Sequence, residues 1–300
     1  MIHHACVLNV TSLFAKALRP LAAAALLGIL IPQPMQAQEQ LSEEDKARLA
    51  ASDGAGAMPS TMLSLPFHDP FDGNQLAADW ATLNVNPDKF VVENGGIFVI
   101  ETGGKARPDN PETDNVFVLG HALPAGDFDM TLKGTLDPKT GYENIWLGLR
   151  AGAEDYLAAN LSILTKGCGA ALYLNIENTR VLDKGEKPVK TWFGDNLFDG
   201  PLLKDICTSG RTYADAALAV LPDSGFTLTF SRRGMRYFTS VKLDLPSDEK
   251  HEGGRKTVAS FALSRVEPFG QPFFMLGQSS KARNGESSAT FDDFSIIAVQ

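Results

Sequence analysis

The stretch that decides the fold runs from Glu143 to Glu177 and reads "ENIWLGLRAGAEDYLAANLSILTKGCGAALYLNIE". It holds three runs of alternating apolar and polar or aromatic residues, joined by the short connections "AGAED" and "LTKGCG". Successive side chains of an extended strand point to opposite faces, and short connections join antiparallel neighbours. The stretch therefore predicts a three-stranded meander with one face on a core. The core side is formed by Ile145, Leu147, Leu149, Leu157, Leu161, Ile163, Leu172, Leu174 and Ile176.

The opposite face of the meander carries aromatic, amide and charged side chains. Its members are Trp146, Arg150, Tyr156, Asn160, Tyr173, Asn175 and Glu177. The register follows from pairing Arg150 with Tyr156 at one turn and Ile163 with Ala170 at the other. The rows that this register predicts are Trp146 with Asn160 and Tyr173, and Arg150 with Tyr156 and Glu177. A slip of two residues would keep the face but change the rows.

The same alternation continues on both sides of the meander, in "FDMTLKGTL", "FTLTF", "MRYFTSVKL", "VASFAL", "FFMLG" and "TFDDFSIIAV". Turn signals such as "ENGG", "PDSG" and "RRG" separate the runs, and no long amphipathic helix interrupts them. Many short antiparallel strands predict an all-β fold, a two-sheet antiparallel jelly-roll sandwich. We expect it to form one domain over residues 65–300, after a polar leader or linker at residues 38–64.

The first 37 residues have the organisation of a signal peptide. Lys16 and Arg19 come before the apolar run "LAAAALLGILI", and small residues follow it up to Ala37. The run is shorter than the about 20 residues that a membrane helix needs, although an uncleaved anchor stays open. No second apolar run approaches membrane length. We expect a periplasmic or secreted protein without a transmembrane segment once the signal is removed.

The charge balance argues against nucleic acid as a partner. The formal net charge is −9 at pH 7, and removing Lys16 and Arg19 with the signal, which contains no acid, changes it to −11. An acidic chain is repelled by phosphate backbones and is compatible with neutral sugars or cations.

Cys168 and Cys207 are the cysteines that remain after the signal is removed. In an oxidising compartment they can form a disulfide that closes a loop of about 40 residues, with an ideal stabilisation of about 4 kcal/mol. Two unpaired thiols are the alternative. Two cysteines this far apart, with no histidine nearby, make a poor zinc site.

The polar face of the meander is suited to a carbohydrate or a related polar ligand. Aromatic rings stack on the apolar face of a sugar, while amides and charges bind its hydroxyl groups. The ligand-binding candidates are Trp146, Arg150, Asn160, Tyr173 and Asn175, with Trp192 as a wall from the long excursion at residues 166–210. The alternative is a face that meets only solvent, or one that this excursion covers.

Two further functions stay open beside ligand binding. Glu177 next to Tyr156 and Arg150 can act as a general base in a glycan hydrolase or lyase, or the three can form a plain surface ion pair. No strand carries an E-x-D-x-E run, which would place a nucleophile and an acid on one face of a strand. This favours a protein without catalysis, and a structural domain of the cell envelope is the remaining alternative.

Carboxylates at both ends of the domain raise the question of what neutralises them. Asp69 and Asp72 lie in the opening "FHDPFDG", and Asp292 and Asp293 lie in the closing "FDDF". The first and last strands of a sandwich are often neighbours, so these acids can share one calcium ion. An arginine partner, backbone N–H groups or exposure to solvent are the alternatives.

The opening "FHDPFDGNQLAADW", together with "VENGG", "GDFD" and the closing "FDDF", resembles the concanavalin A-like lectin/glucanase superfamily. The likeness is to the jelly-roll modules at the C-terminal end of β-xylosidase-type glycoside hydrolases, and it covers residues 65–300. In those modules an acid near the start and one in the last strand hold a structural calcium ion. The resemblance therefore implies Asp69 and Asp292 as calcium ligands, although Pro70 stands where a second opening acid is often found.

Overall fold

The computed structural model describes residues 61–166, 169–182, 186–196, 211–249, 252–265, 270–282 and 285–300. The predicted signal peptide, the leader up to residue 60, and Cys168 with Cys207 lie outside the described residues. No helix within these ranges has the length and apolar character needed to cross a membrane.

Strands dominate the described residues. They are β1 Phe67–Asp69, β2 Trp80–Leu83, β3 Phe90–Glu93, β4 Gly96–Glu101, β5 Val116–Leu119, β6 Asp127–Asp137, β7 Glu143–Gly152, β8 Asp155–Lys166, β9 Gly169–Arg180, β10 Val189–Asn196, β11 Phe226–Arg233, β12 Arg236–Leu245, β13 Gly254–Ser264, β14 Gln271–Gln278 and β15 Ser287–Val299. Two short helices, α1 Arg211–Ala219 and α2 Leu221–Ser224, precede β11, and 3₁₀ turns form at Pro87–Lys89 and Ser280–Ala282.

The described strands form two antiparallel sheets. Sheet A has the order β13-β12-β11-β6-β15-β4-β3, with β1 also paired to β15, and sheet B has the order β10-β9-β8-β7-β14-β5-β2. The chain passes back and forth between the sheets, because β6 and β15 belong to sheet A while β7 and β14 belong to sheet B. The predicted fold class, an all-β two-sheet antiparallel jelly-roll sandwich, is confirmed.

The core between the sheets is built by the alternation seen in the sequence. Strand β6 buries Phe128, Met130, Leu132 and Leu136, and the residues between them face away from the core. The predicted core side of the meander is buried in this cluster as well. Period-two alternation of apolar residues therefore places one face of each sheet on the other sheet.

The two ends of the described chain are neighbours in sheet A. Asp69 in β1 lies opposite Phe294 in β15. The His68 Nε2 lies 2.9 Å from the Asp293 carboxylate, and the Lys133 Nζ, 3.3 Å from it, supplies a positive charge. Asp292 is exposed, in a bulge where the register of β15 against β6 shifts.

Helix α1 was not predicted from the sequence. It buries Tyr213, Ala214, Ala217 and Leu218 in the core cluster beside the sheets. With only nine residues, it offers too few turns for a clear helical period in the sequence.

Candidate functional site

The meander formed by β7, β8 and β9 has the predicted order and faces, with one change of register. Arg150 pairs with Tyr156 and Trp146 pairs with Asn160, as predicted. Asn160, however, pairs with Asn175. The predicted register between β8 and β9 was wrong by two residues, because Lys166 pairs directly with Gly169 and the turn is tighter than assumed.

The slip changes both predicted rows. Tyr173 lies opposite Ser162 instead of Asn160, and it packs half-buried against the core cluster. Glu177 lies opposite Ala158, and Thr179 takes the predicted place of Glu177 opposite Tyr156. The face is unchanged, since the shift is by an even number of residues.

The outer face of sheet B, the side turned away from sheet A, holds a second buried cluster. It consists of Ala106, Val116, Val118, Trp146, Tyr156, Ala158, Phe273 and Met275. Trp146 and Tyr156 are both 0% exposed, and their rings meet edge to face with centroids 6.2 Å apart. The centre of the predicted ligand surface is therefore interior.

Residues 102–115, which we call the covering loop, bury this cluster. Ala106 lies in the cluster, and its carbonyl accepts a hydrogen bond of 3.0 Å from the Gln278 N–H. The Gln278 side chain accepts one of 2.6 Å from the Gly104 N–H. The Arg107 N–H donates to the Thr113 hydroxyl, and that hydroxyl donates to the Arg107 carbonyl. A cover by the excursion at residues 166–210 was one alternative from the sequence, and much of that excursion lies outside the described residues.

Five charged and polar side chains fasten the covering loop to strands β8, β9 and β10. The Arg107 Nη2 lies 3.1 Å from the Glu177 Oε1, and the Arg107 Nε lies 3.0 Å from the Asp109 Oδ1. Tyr156 donates its hydroxyl proton to Glu177, and Lys190 donates to Asp109. The chain of contacts is Tyr156, Glu177, Arg107, Asp109 and Lys190, and we call it the ion network.

Burial and charge set the protonation of the ion network. Burial, followed by the negative charge of Glu177, raises the pKa of Tyr156 above its usual range. Burial alone would lower the pKa of Arg107, but Glu177 and Asp109 outweigh it and raise that pKa. The phenol therefore stays a donor and the guanidinium stays charged. This arrangement holds the loop on the sheet.

Of the three catalytic candidates, the structure brings two together. Tyr156 and Glu177 are in contact, but the cation beside Glu177 is Arg107, while Arg150 packs with its guanidinium carbon 5.7 Å from the centre of the Phe273 ring. Sequence reasoning missed Arg107, Asp109 and Lys190, since no spacing rule links a polar loop to a distant strand.

The covering loop leaves the β10 side of the face open. Trp192 is 68% exposed and lies opposite Glu177. Gly194 lies opposite Asn175, and a Cβ added to Gly194 would stand 2.4 Å from the Asn175 Cβ. Glycine therefore brings β10 close to β9 here. We call Trp192, Gly194, Asn175 and Asn160 the open border.

Two amide groups at the open border lack partners. The side-chain carbonyl oxygens of Asn160 and Asn175 are buried and accept no hydrogen bond from the described residues. The two residues are neighbours across β8 and β9. Leaving such an acceptor unpaired costs about 1–3 kcal/mol, so these groups are candidates for binding a donor from outside the protein.

Asp69, one of the two predicted calcium ligands, is hydrogen-bonded within the protein. The two Asp69 carboxylate oxygens accept hydrogen bonds of 2.8 Å from the Phe71 N–H and from the Trp80 indole. Across the ranges that the structure describes, no three His, Cys, Asp or Glu side chains are grouped to hold a metal ion. Calcium binding by Asp69 and Asp292 stays a prediction.

No protein-family model and no curated protein matches the chain. Among solved structures, it is similar to a GH43 protein from Bacillus licheniformis, with 12% identity and a TM-score of 0.49 over 80% of this chain and 41% of that one. A legume lectin-like domain from Entamoeba histolytica has 10% identity and a TM-score of 0.44, over 80% of this chain and 100% of the domain. The CBM2 module of the Lactobacillus casei BL23 phage J-1 evolved Dit has 13% identity and a TM-score of 0.42, over 78% of this chain and 96% of that module.

These likenesses concern the fold alone. The chain spans 41% of the length of the GH43 protein. Function therefore has to be argued from the site.

Proposed function

We propose that this protein binds a carbohydrate, or a related polar ligand rich in hydroxyl groups, at the open border. The observation that carries the proposal is an indole that is 68% exposed on the same sheet face as two buried amide oxygens without partners. The indole of Trp192 offers a flat apolar surface for the C–H face of a sugar ring. Hydroxyl groups of the ligand supply the donors that Asn160 and Asn175 lack.

We favour the open border over the centre of the face because a ligand can reach Trp192 but not Trp146. Trp146 is covered by the loop, and the ion network ties the loop to three strands. A ligand at Trp146 would have to break the contacts of Arg107 with Glu177 and of Lys190 with Asp109, which join the loop to β9 and β10. A ligand can stack on the exposed indole of Trp192 without breaking the ion network.

The test is a glycan-binding panel with Trp192→Ala. We expect wild type to bind one class of oligosaccharide and the variant to bind it about tenfold or more weakly, since loss of the stacking surface costs at least 1.4 kcal/mol. Met235→Ala is the matched control, because Met235 is a large side chain that is 58% exposed on the turn between β11 and β12. Equal binding by Trp192→Ala and wild type would refute the site. If wild type binds no glycan of the panel, the proposed function is refuted.

Calcium binding is a separate proposal, supported by the resemblance at Asp69 and Asp292. An ion bound only by the native state raises stability, so removal by a chelator should lower the Tm in proportion to the logarithm of the calcium concentration over its Kd. Asp292→Asn should abolish the difference between chelator and calcium. Identical melting curves of wild type with chelator and with calcium would contradict the proposal.

A further inference from the structure

Arg150 is a buried cation that has no counter-ion among the described residues. The residue is 9% exposed, and its guanidinium packs over the Phe273 ring in β14. Within the described part of the chain, the guanidinium donates no hydrogen bond and joins no ion pair. Buried charges in proteins are normally paired and hydrogen-bonded, because an isolated charge away from water is costly.

Arg265 is a second buried arginine, and its guanidinium has both a carboxylate and an amide partner. Its side chain is 5% exposed, its Nη1 lies 2.9 Å from the Asn178 Oδ1, and its Nη2 lies 2.7 Å from the Asp155 Oδ1. Both arginines are buried to a similar degree, yet among the described residues only Arg265 has a carboxylate partner. The missing partner is therefore particular to Arg150.

The carboxylates of the ion network are bound by other cations. Arg107 binds both Glu177 and Asp109, and Lys190 binds Asp109, so neither carboxylate is paired with Arg150. Burial lowers the pKa of Arg150 to about 10, partly offset by the Tyr156 hydroxyl, so the guanidinium is charged at neutral pH. A chain of net charge −9 thus has a local site that attracts anions.

We propose that Arg150 anchors an oxyanion-binding site that takes the carboxylate of an acidic sugar. The planar guanidinium can donate two parallel hydrogen bonds to the two oxygens of a carboxylate. Its other side packs against the Phe273 ring. Gln271 lies directly opposite Arg150, and its Nε2 donates a bond of 3.0 Å to the Leu119 carbonyl, which fixes the amide beside the site. The acidic composition is compatible with neutral sugars or cations, whereas the local charge of Arg150 favours an anion at this site.

The site is distinct from the open border. Arg150 lies in β7 and Trp192 in β10, three strand spacings or about 14 Å apart. Thr179, between them on β9, is 0% exposed. Loss of Trp192 therefore leaves the Arg150 site intact, and the two proposals can fail separately.

The binding test uses trigalacturonate, its methyl ester as the neutral match, and sulfate, at constant ionic strength. We expect trigalacturonate to bind wild type about ten- to a hundredfold more tightly than the ester, since charge-assisted hydrogen bonds are the stronger kind. Arg150→Met should remove this preference, Arg150→Lys should weaken it, and Trp192→Ala should keep it. Equal binding of acid and ester overturns the proposal, and so does sulfate binding as tightly as trigalacturonate, because the site would then serve an inorganic ion.

The stability test needs no ligand. An unpaired buried charge destabilises the free protein, so Arg150→Met should keep or raise the Tm, whereas Arg265→Met should lower it by breaking two hydrogen bonds. Trigalacturonate should raise the Tm of wild type and leave that of Arg150→Met unchanged. If Arg150→Met lowers the Tm as much as Arg265→Met does, the guanidinium already has its partner and the inference is overturned.

Discussion

Two tryptophans on one sheet face have opposite environments. Trp146 in β7 and Trp192 in β10 both point away from sheet A, yet Trp146 is 0% exposed and Trp192 is 68% exposed. The covering loop lies over Trp146 and ends before Trp192. The comparison teaches that a polar-looking sheet face can be interior at its centre and open to solvent at its border.

The difference has a physical cause in the loop. Arg107 lies with its guanidinium carbon 5.3 Å from the centre of the Trp146 ring and also binds Glu177. Burying the indole and the neighbouring Phe273 and Met275 gains roughly 2 kcal/mol for each side chain, which offsets the cost of ordering the loop. No such segment reaches Trp192 from the described residues.

The largest effect is expected at the covered tryptophan. Trp146→Ala should cost about 3–5 kcal/mol of unfolding free energy, because it leaves a cavity beneath a fixed loop. Trp192→Ala should change it by about 0.5 kcal/mol or less, since an exposed side chain loses little packing. Urea unfolding of the two variants measures the contrast. Similar costs at both positions would break the comparison.

The next largest effect concerns the guanidinium that holds the cover. Arg107→Met should cost about 1–3 kcal/mol, since Glu177 and Asp109 lose a charged donor while partly buried. Amide exchange at Gln278, which donates to the Ala106 carbonyl, should become faster. Arg236→Met, at an exposed arginine over Phe238 in sheet A, is the control and should change neither quantity. Unchanged exchange in Arg107→Met would mean that the ion network does not hold the loop.

A smaller effect follows from the pH dependence of the ion network. Burial alone would raise the pKa of Asp109, but the Lys190 hydrogen bond and the charge of Arg107 lower it below 3.8. A lowered carboxyl pKa means that the folded state prefers the ionised form. This stabilisation is present above the ordinary pKa and is lost as the pH falls through the folded pKa.

The measurement is the unfolding free energy of wild type and Asp109→Asn between about pH 6 and pH 2. Their difference should be about 1 kcal/mol or less at pH 6, because Lys190 is partly exposed, and should shrink in acid. A difference that stays constant or grows in acid would show that Asp109 is not paired as described.

The sequence predicted the fold and the faces of the strands, because both follow from period-two alternation. It placed Trp146 and Asn160 in one row correctly. It misplaced Tyr173 and Glu177, since register across a turn depends on turn geometry that composition does not reveal.

The packing of the covering loop and the ion network could not be predicted from the sequence. The covering loop reads "TGGKARPDNPETDN", which is typical of any polar surface loop. Its packing on Trp146 depends on contacts between residues far apart in the chain, such as Arg107 with Glu177 and Asp109 with Lys190. Only Trp192 and the two asparagines of the predicted ligand surface keep a role at the open border.

The most direct test of the central claim is to follow the indole N–H signals of the protein's three tryptophans by NMR during titration with the best-binding oligosaccharide. The signals can be assigned with Trp→Phe variants, and that of Trp80 is an internal reference because its N–H donates to Asp69. We predict that the Trp192 signal shifts most on binding and that the signals of Trp80 and Trp146 stay nearly in place. A large shift of the Trp146 signal with none at Trp192 would contradict the account.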